Sequence, residues 1–228
     1  MRAEMENLFQ VYDCGLIRKR FGNNEDGGYV VPFELLTRIE HVTTFGVGPD
    51  ISFELDADDM LKKAGKTVWF DFWDGTVEGL PGYRENFCLT RCMVDGKNVA
   101  GILKDRPPTL WKFDIEGAEL EFADKVPEDV MRKIPLIVCE IHADGREAEA
   151  ENLLRFIGRT HALFHIHANN HCATRSVVAG RNVCSVFECT FVRNDLVLDW
   201  RPYAGSLPIA GIDFQNKRNS PDVPMFLD

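Results

Sequence analysis

The 228-residue sequence predicts one α/β domain: a mostly parallel central sheet with helices on both faces, closing in a C-terminal antiparallel hairpin. Three observations carry that expectation. Strand-like and helix-like segments alternate along the chain, as layered α/β domains require. Leu136 to Ile141 reads as a buried strand. The last two strand-like segments have no helix between them, and parallel neighbours need a long crossover, so this pair suits an antiparallel arrangement.

The elements follow in order. Residues 4 to 12 suit a short amphipathic helix ending near Gly15, and Asp26-Gly27-Gly28-Tyr29-Val30-Val31-Pro32 is a tight turn into an extended piece stopped by Pro32. Residues 33 to 39 suit a helical turn or two, Val42 to Phe45 a strand broken at Gly46 and Gly48, and Ile51 to Ala64 an amphipathic helix. Thr67 to Phe72 is a second core strand ending on Asp71, followed by a Gly- and Pro-rich loop from Asp74 to Tyr83. Phe87 to Val94, Thr109 to Ile115 and Leu136 to Ile141 are further strands. Glu116 to about Lys125 and Gly145 to Gly158 are predicted helices; Ala162 to His167 and Val183 to Val192 are the late strands. The layout is a single domain over 1–228, with an N-terminal cap over 1–40, a core over 41–192 and an extended tail over 193–228.

Composition narrows the function classes. With 45% hydrophobic and 27% charged residues the chain is an ordinary globular sequence, long enough for one sizeable core. A formal net charge of -10 argues against general nucleic-acid binding, because nothing would neutralise a phosphate backbone. No run of about 18 apolar residues predicts a membrane span, and the acidic N-terminus lacks a signal-peptide core. The seven cysteines form no C-x-x-C pair and several sit in apolar runs, so reduced thiols and a cytoplasmic location are expected.

The turn Phe45-Gly46-Val47-Gly48-Pro49-Asp50 lies where a strand enters a helix, a place where glycines let a ligand approach the backbone. It lacks the third glycine of a dinucleotide loop and the Lys-Ser/Thr of a P-loop, and Pro49 removes a donor that a pyrophosphate would use. A ligand without phosphate at this point is expected, and the methionine part of S-adenosylmethionine (SAM) is one. Asp71, at the tip of the next strand, is available to accept both ribose hydroxyls.

Ionisable residues then leave two apolar strands at the edge where open parallel sheets bind ligands. Asp114 and Glu116 alternate at one strand end, and Glu140 and His142 do the same at another. Such side chains are costly unless used or paired. Glu119 reads instead as a charge at a helix N-terminus. His165-Ile166-His167-Ala168-Asn169-Asn170-His171 adds two histidines on one strand face and two amides suited to a polyhydroxylated substrate. Histidine with carboxylates suits several divalent ions, but the spacing matches no zinc pattern.

Taken together, Asp26-Gly27-Gly28-Tyr29, Thr44-Phe45-Gly46-Val47-Gly48, Lys112-Phe113-Asp114-Ile115-Glu116-Gly117-Ala118-Glu119 and Glu140-Ile141-His142 resemble, in that order, the FkbM-type methyltransferase family over roughly residues 20 to 192. Typical members carry an Asp-x-Gly-Ala-Asn-x-Gly loop where this chain has Phe-Gly-Val-Gly-Pro-Asp. The resemblance implies a Rossmann-like class I methyltransferase fold, SAM as donor and transfer to a hydroxyl of a sugar, glycan or small natural product. The expected cofactor contacts are Phe45, Gly46, Val47, Gly48, Asp50, Asp71 and Asp114. His142 is the candidate base, with Asp114 or Glu116 orienting it, taking the proton or binding a divalent ion. Asp26, Tyr29, Glu140, His167, Asn169 and Asn170 are assigned to the acceptor. Three other classes compete: a nucleotide-sugar or NAD-dependent enzyme on a related fold, a non-catalytic SAM-binding module, and a protein or RNA methyltransferase, the net charge of -10 arguing against RNA but not against protein.

Overall fold

The structure, a computed structural model, describes residues 7–107, 109–172 and 174–227. In chain order its elements are β1 (Arg18–Phe21), β2 (Tyr29–Pro32), α1 (Phe33–Leu36), β3 (His41–Phe45), α2 (Ser52–Lys63), β4 (Trp69–Trp73) and β5 (Phe87–Thr90). Then come α3 (Val99–Lys104), β6 (Thr109–Phe113), a 3-10 turn (Ala118–Phe122), α4 (Glu128–Met131), β7 (Leu136–His142) and α5 (Glu147–Gly158). The chain finishes with β8 (His161–Ala168), β9 (Arg175–Val178), β10 (Arg181–Cys184), β11 (Val186–Arg193), a short 3-10 turn (Asn194–Leu196) and β12 (Phe226–Leu227).

Seven strands form the central sheet in the order β5-β4-β3-β6-β7-β11-β8. Neighbours from β5 through β7 pair in parallel, whereas β11 runs antiparallel to both β7 and β8. The chain starts the sheet at β3, works outward to β5, then crosses to β6 on the other side. The crevice beyond the C-terminal ends of β3 and β6 is therefore the switch point at which such sheets bind ligands. The predicted antiparallel finish is present, with the last strand of the sheet inserted between its predecessors rather than added at the edge.

Side chains alternate across this sheet. Ile137, Cys139 and Ile141 of β7 join one apolar cluster with Val99, Val130 and Leu153 from α3, α4 and α5. Leu136 and Val138 join the other, with Leu35 of α1 and Phe53, Ala57 and Leu61 of α2. Helices thus cover both faces, as expected.

Several elements differ from the sequence expectation. Residues 4 to 6 of the expected N-terminal helix lie outside the described residues. Asn7 to Tyr12 turn instead of coiling, because Asn7 Oδ1 accepts the Phe9 N–H at 3.0 Å, a local bond that competes with helix. Phe9 then lies edge-on to Phe187 and Phe226. The predicted helix from Glu116 is reduced to the 3-10 turn, since Glu116 and Gly117 both take positive φ (55° and 97°) and break helical continuity. Val183 to Val192 is two strands, bent at Ser185, whose hydroxyl lies 3.1 Å from that of Ser176. Helices α3 and α4 and strand β9 carried no clear periodic signal.

The C-terminal stretch is no free extension. Leu198 N–H donates to Cys14 O at 3.0 Å and Tyr203 N–H to Val11 O at 2.9 Å. Met225 is buried, and Phe226 packs against the larger core cluster. The seven cysteines are all free, and among the described residues no helix is long and apolar enough to cross a membrane.

Candidate functional site

A cavity of about 590 Å³ occupies the switch-point crevice, within the usual size range of small-ligand sites. Its wall comes from five places: the turn before β2 with Tyr29, the glycine loop after β3, residues Trp73 to Thr76 at the end of β4, Met93 and Val94 beyond β5, and residues between Lys112 and Ala118 around the end of β6.

The glycine loop is held from inside. Gly46 N–H donates to Trp73 O at 3.0 Å, and Asp74 Oδ2 accepts from Val47 N–H at 2.8 Å and Gly48 N–H at 3.5 Å. Asp74 Oδ1 takes the N–H groups of Thr76 and Val77 and the Thr76 hydroxyl. Burial alone would raise the Asp74 pKa, but hydrogen bonds from Thr76, Val47 and Val77 outweigh it and hold the carboxyl at about 2. Gly46 has φ +76°, and a Cβ there would meet Asp114 O at 1.7 Å, so no other residue lets the loop pass the end of β6.

Asp71 does not face this cavity. It lies two residues below the tip of β4, opposite Thr43 of β3, with its carboxylate bonded to His41 Nε2 at 3.0 Å and ion-paired with Arg106. Ending the strand at Phe72 made Asp71 look like the tip acid. β4 in fact runs on through Trp73, which makes Asp74 the acid at the crevice; the unbroken aromatic pattern Trp69-Phe70-Asp71-Phe72-Trp73 was the available signal. Phe45 is fully buried against Trp111 and Phe122 and offers the cavity no side chain. Val47, Gly48 and Asp50 do line it; Asp50 is engaged by Asn23 Nδ2 and by the hydroxyl and N–H of Ser52 at the start of α2.

Strand register gathers the remaining ionisable residues on one sheet face. Glu188 of β11 stands opposite Glu140 of β7, and His167 of β8 opposite Glu188. Lys112 and Asp114 continue the row on the β6 side. Lys112 pairs with buried Glu54 at 3.4 Å, and this neighbour, with Asp114, raises the lysine pKa against the lowering effect of burial. Tyr29 O–H donates to Asp114 Oδ2 at 3.4 Å; burial, then Asp114, push the phenol well above its ordinary pKa, so it stays a donor. Burial, then Asp114 and Glu188, push Glu140 well above the usual carboxylate range.

His142 is the best-oriented side chain of the group. Its Nδ1 lies 3.1 Å from Oε1 of Glu119, which also accepts the His142 N–H at 2.9 Å. Glu119 is fully buried and accepts the Gly117 N–H through Oε2 at 2.8 Å. The helix-end role expected for Glu119 is therefore replaced by that of a buried carboxylate that fixes an imidazole; the left-handed pair Glu116-Gly117 is what turns it inward. On the other side, His142 Nε2 lies 3.3 Å from Glu116 Oε2 and 3.6 Å from Glu140 Oε2. Burial alone would lower the His142 pKa; Glu119, then Asp114 and Glu116, overturn this and raise it.

Of the residues assigned to an acceptor, Asp26 and Tyr29 line the cavity. Glu140 and His142 stand immediately behind Asp114 and Glu116. His167, Asn169 and Asn170 are buried beneath the C-terminal stretch. His167 Nε2 pairs with Asp222 at 3.2 Å. Asn169 donates to Glu140, and Asn170 Nδ2 is shared among the carbonyls of Lys217, Ser220 and Pro221. His167 and Asn170 fasten the tail, a role that no local pattern could signal because their partners lie about 50 residues away in sequence, whereas Asn169 is spent on Glu140. His165 is likewise paired with Asp213 at 2.8 Å. Trp73, Asp74 and Met93 are lining residues that the sequence did not single out.

Comparison with known proteins adds little to this geometry. No family model and no curated protein sequence matches the chain. Among solved structures, a protein from Thermobifida fusca YX provisionally called a methyltransferase aligns at 10% identity over 70% of this chain and 79% of its own, with a TM-score of 0.36. A protein from Shewanella sp. PV-4 provisionally called a riboflavin biosynthesis protein aligns at 14% identity over 76% and 84%, with a TM-score of 0.24. At these scores the likenesses are loose, and the functional reading stands on the site itself: a crevice at a sheet switch point, lined by several carboxylates.

Proposed function

We propose that the chain is a SAM-dependent methyltransferase acting on a hydroxyl of a sugar, a glycan or a small natural product. The observation that carries this reading is the charge and donor pattern of the cavity. Glu25, Asp26, Asp50, Asp74, Asp114 and Glu116 line it, with Lys112 as the one lysine or arginine among the lining residues, and that lysine is paired with Glu54. A sulfonium cation is attracted into such a wall, whereas a pyrophosphate is repelled. The loop amides that would cradle phosphate are spent on Trp73 and Asp74. That disfavours the nucleotide-sugar and NAD-dependent alternatives.

Strand order supports the same reading. Numbered among themselves, the parallel strands follow the doubly wound order 3-2-1-4-5-6, and β11 lies reversed between the last two. In this reading the glycine loop, tied down by Asp74, holds the methionine part, and Asp71 has no role at the ribose. The acceptor reaches the methyl group from the side of Asp114 and Glu116.

The reaction is R–OH plus SAM giving R–OCH3, S-adenosylhomocysteine and a proton. The donor is already activated, so the protein has mainly to align oxygen, methyl and sulfur and to receive the hydroxyl at the Asp114–Glu140–His142 group, where its proton is lost. Calorimetric titration with S-adenosylhomocysteine tests the reading: saturable binding is expected, weakened by Asp114→Asn. Absence of binding up to about 1 mM ligand, a free energy weaker than about -4 kcal/mol, would sink it. Transfer of labelled methyl from SAM to a panel of sugars and hydroxylated natural products then identifies the acceptor.

A further inference from the structure

We propose that Asp114, Glu140 and His142 form a binding site for a divalent cation of the Mn2+ kind. One ligand atom from each lies within 4.8 Å of the others. Donors about 2.1 Å from a common ion stand up to roughly 4.2 Å apart, so closing the site takes small side-chain rotations.

Four further features point to a cation there. Asp114 Oδ1 is buried with no hydrogen-bond partner, although buried carboxylate oxygens are ordinarily satisfied. His142 has its Nδ1 fixed by fully buried Glu119 at 3.1 Å. That leaves Nε2 facing Glu140 Oε2 at 3.6 Å, the carboxylate–histidine arrangement that sets the tautomer of a metal ligand. Glu140 in turn has Oε1 anchored by Asn169, which presents Oε2 to the same point. Negative charge is also in excess, because Glu188 stands beside Glu140 in the sheet register.

Two carboxylates with one imidazole suit a cation that accepts both oxygen and nitrogen, which favours Mn2+ over Mg2+ or Ca2+. The site adjoins the cavity through Asp114. A cation there holds the acceptor oxygen and acidifies its hydroxyl, the proton leaving by way of exposed Glu116. This role rests on the methyltransferase reading, whereas the site itself does not.

Mn2+ titration of the full chain without SAM, followed by electron paramagnetic resonance, tests the proposal. One saturable Mn2+ per chain is expected, with a nitrogen hyperfine coupling from imidazole. Asp114→Asn and His142→Ala should abolish binding, the latter with loss of the nitrogen signal. Glu119→Gln, which alters only the partner of the ligand, should weaken binding by roughly 10–100-fold, while Glu128→Gln, at an exposed position of α4, changes nothing. Thermal unfolding of each variant separates misfolding from ligand loss, and Glu140→Gln replaces any variant that does not fold. No saturable Mn2+, or folded Asp114 and His142 variants binding as the parent does, overturns the site. Calorimetry with S-adenosylhomocysteine on the same samples shows whether the methyltransferase reading survives independently.

Discussion

Gly46 and Gly48 share one loop and one backbone region, with φ of +76° and +58°, yet replacing each by alanine should have very different consequences. At Gly48 a Cβ has nothing within 4 Å. Gly48→Ala then costs only the left-handed backbone, about 1–2 kcal/mol, partly offset by a stiffer unfolded chain worth about 0.4–1 kcal/mol. At Gly46 the added Cβ sits 1.7 Å from Asp114 O and 2.7 Å from Asp114 C. Asp114 cannot retreat freely, because its N–H donates to Phe45 O at 2.9 Å, next to the loop itself. The overpacking adds about 1–3 kcal/mol to the backbone term. For a domain of this length each kcal/mol lowers the melting temperature by roughly 2–4 °C. Gly48→Ala should therefore lose a few degrees, and Gly46→Ala on the order of 10 °C. Scanning calorimetry on the two variants in one buffer measures the difference. Equal shifts would refute the argument that the loop threads past the end of β6 with no room for a side chain.

Two more outcomes follow from titrating groups. His161 is fully buried, its Nε2 donating to Ile134 O at 2.8 Å, and burial lowers its pKa from 6.5 to about 4. The unfolded chain then takes up a proton below pH 6.5 that the folded one refuses. Stability should fall between pH 6.5 and 4, by an amount on the order of 3 kcal/mol, and urea unfolding of His161→Gln should show a flatter profile there. Asp74 has the same sense in a more acidic window, its carboxyl held at about 2: its contribution is present above the ordinary value of 3.8 and disappears as pH falls toward 2. Asp74→Asn should destabilise the chain at neutral pH and remove part of its acid sensitivity; an unchanged melting temperature at pH 7 would mean that the carboxylate does not hold the glycine loop.

Much of the core was legible because its signals are local. Strands β3, β4, β6, β7 and β8 and helices α2 and α5 fall within two or three residues of where apolar patterning, glycines and prolines place them. The same local logic found Asp114, Glu116, Glu140 and His142 at strand ends, and the glycine loop between β3 and α2. It failed where a neighbour decides. Asp71 and Asp74 both follow aromatic residues, and only the pairing of β4 with β3 shows which one reaches the crevice. Glu119 looked like a helix-end charge until two left-handed residues before it turned the chain inward.

The sequence by itself determined the layered α/β class, the glycine loop between β3 and α2 and the supply of acids and histidines near strand ends, because period and turn chemistry are properties of adjacent residues. The tertiary structure alone decided which of those residues meet. It placed β11 between β7 and β8, brought Glu119 under His142, and fastened the C-terminal stretch onto His165, His167 and Asn170. That fastening removed His167 and Asn170, two of the expected acceptor residues, from the cavity, since contacts across about 50 residues of chain depend on where the tail packs.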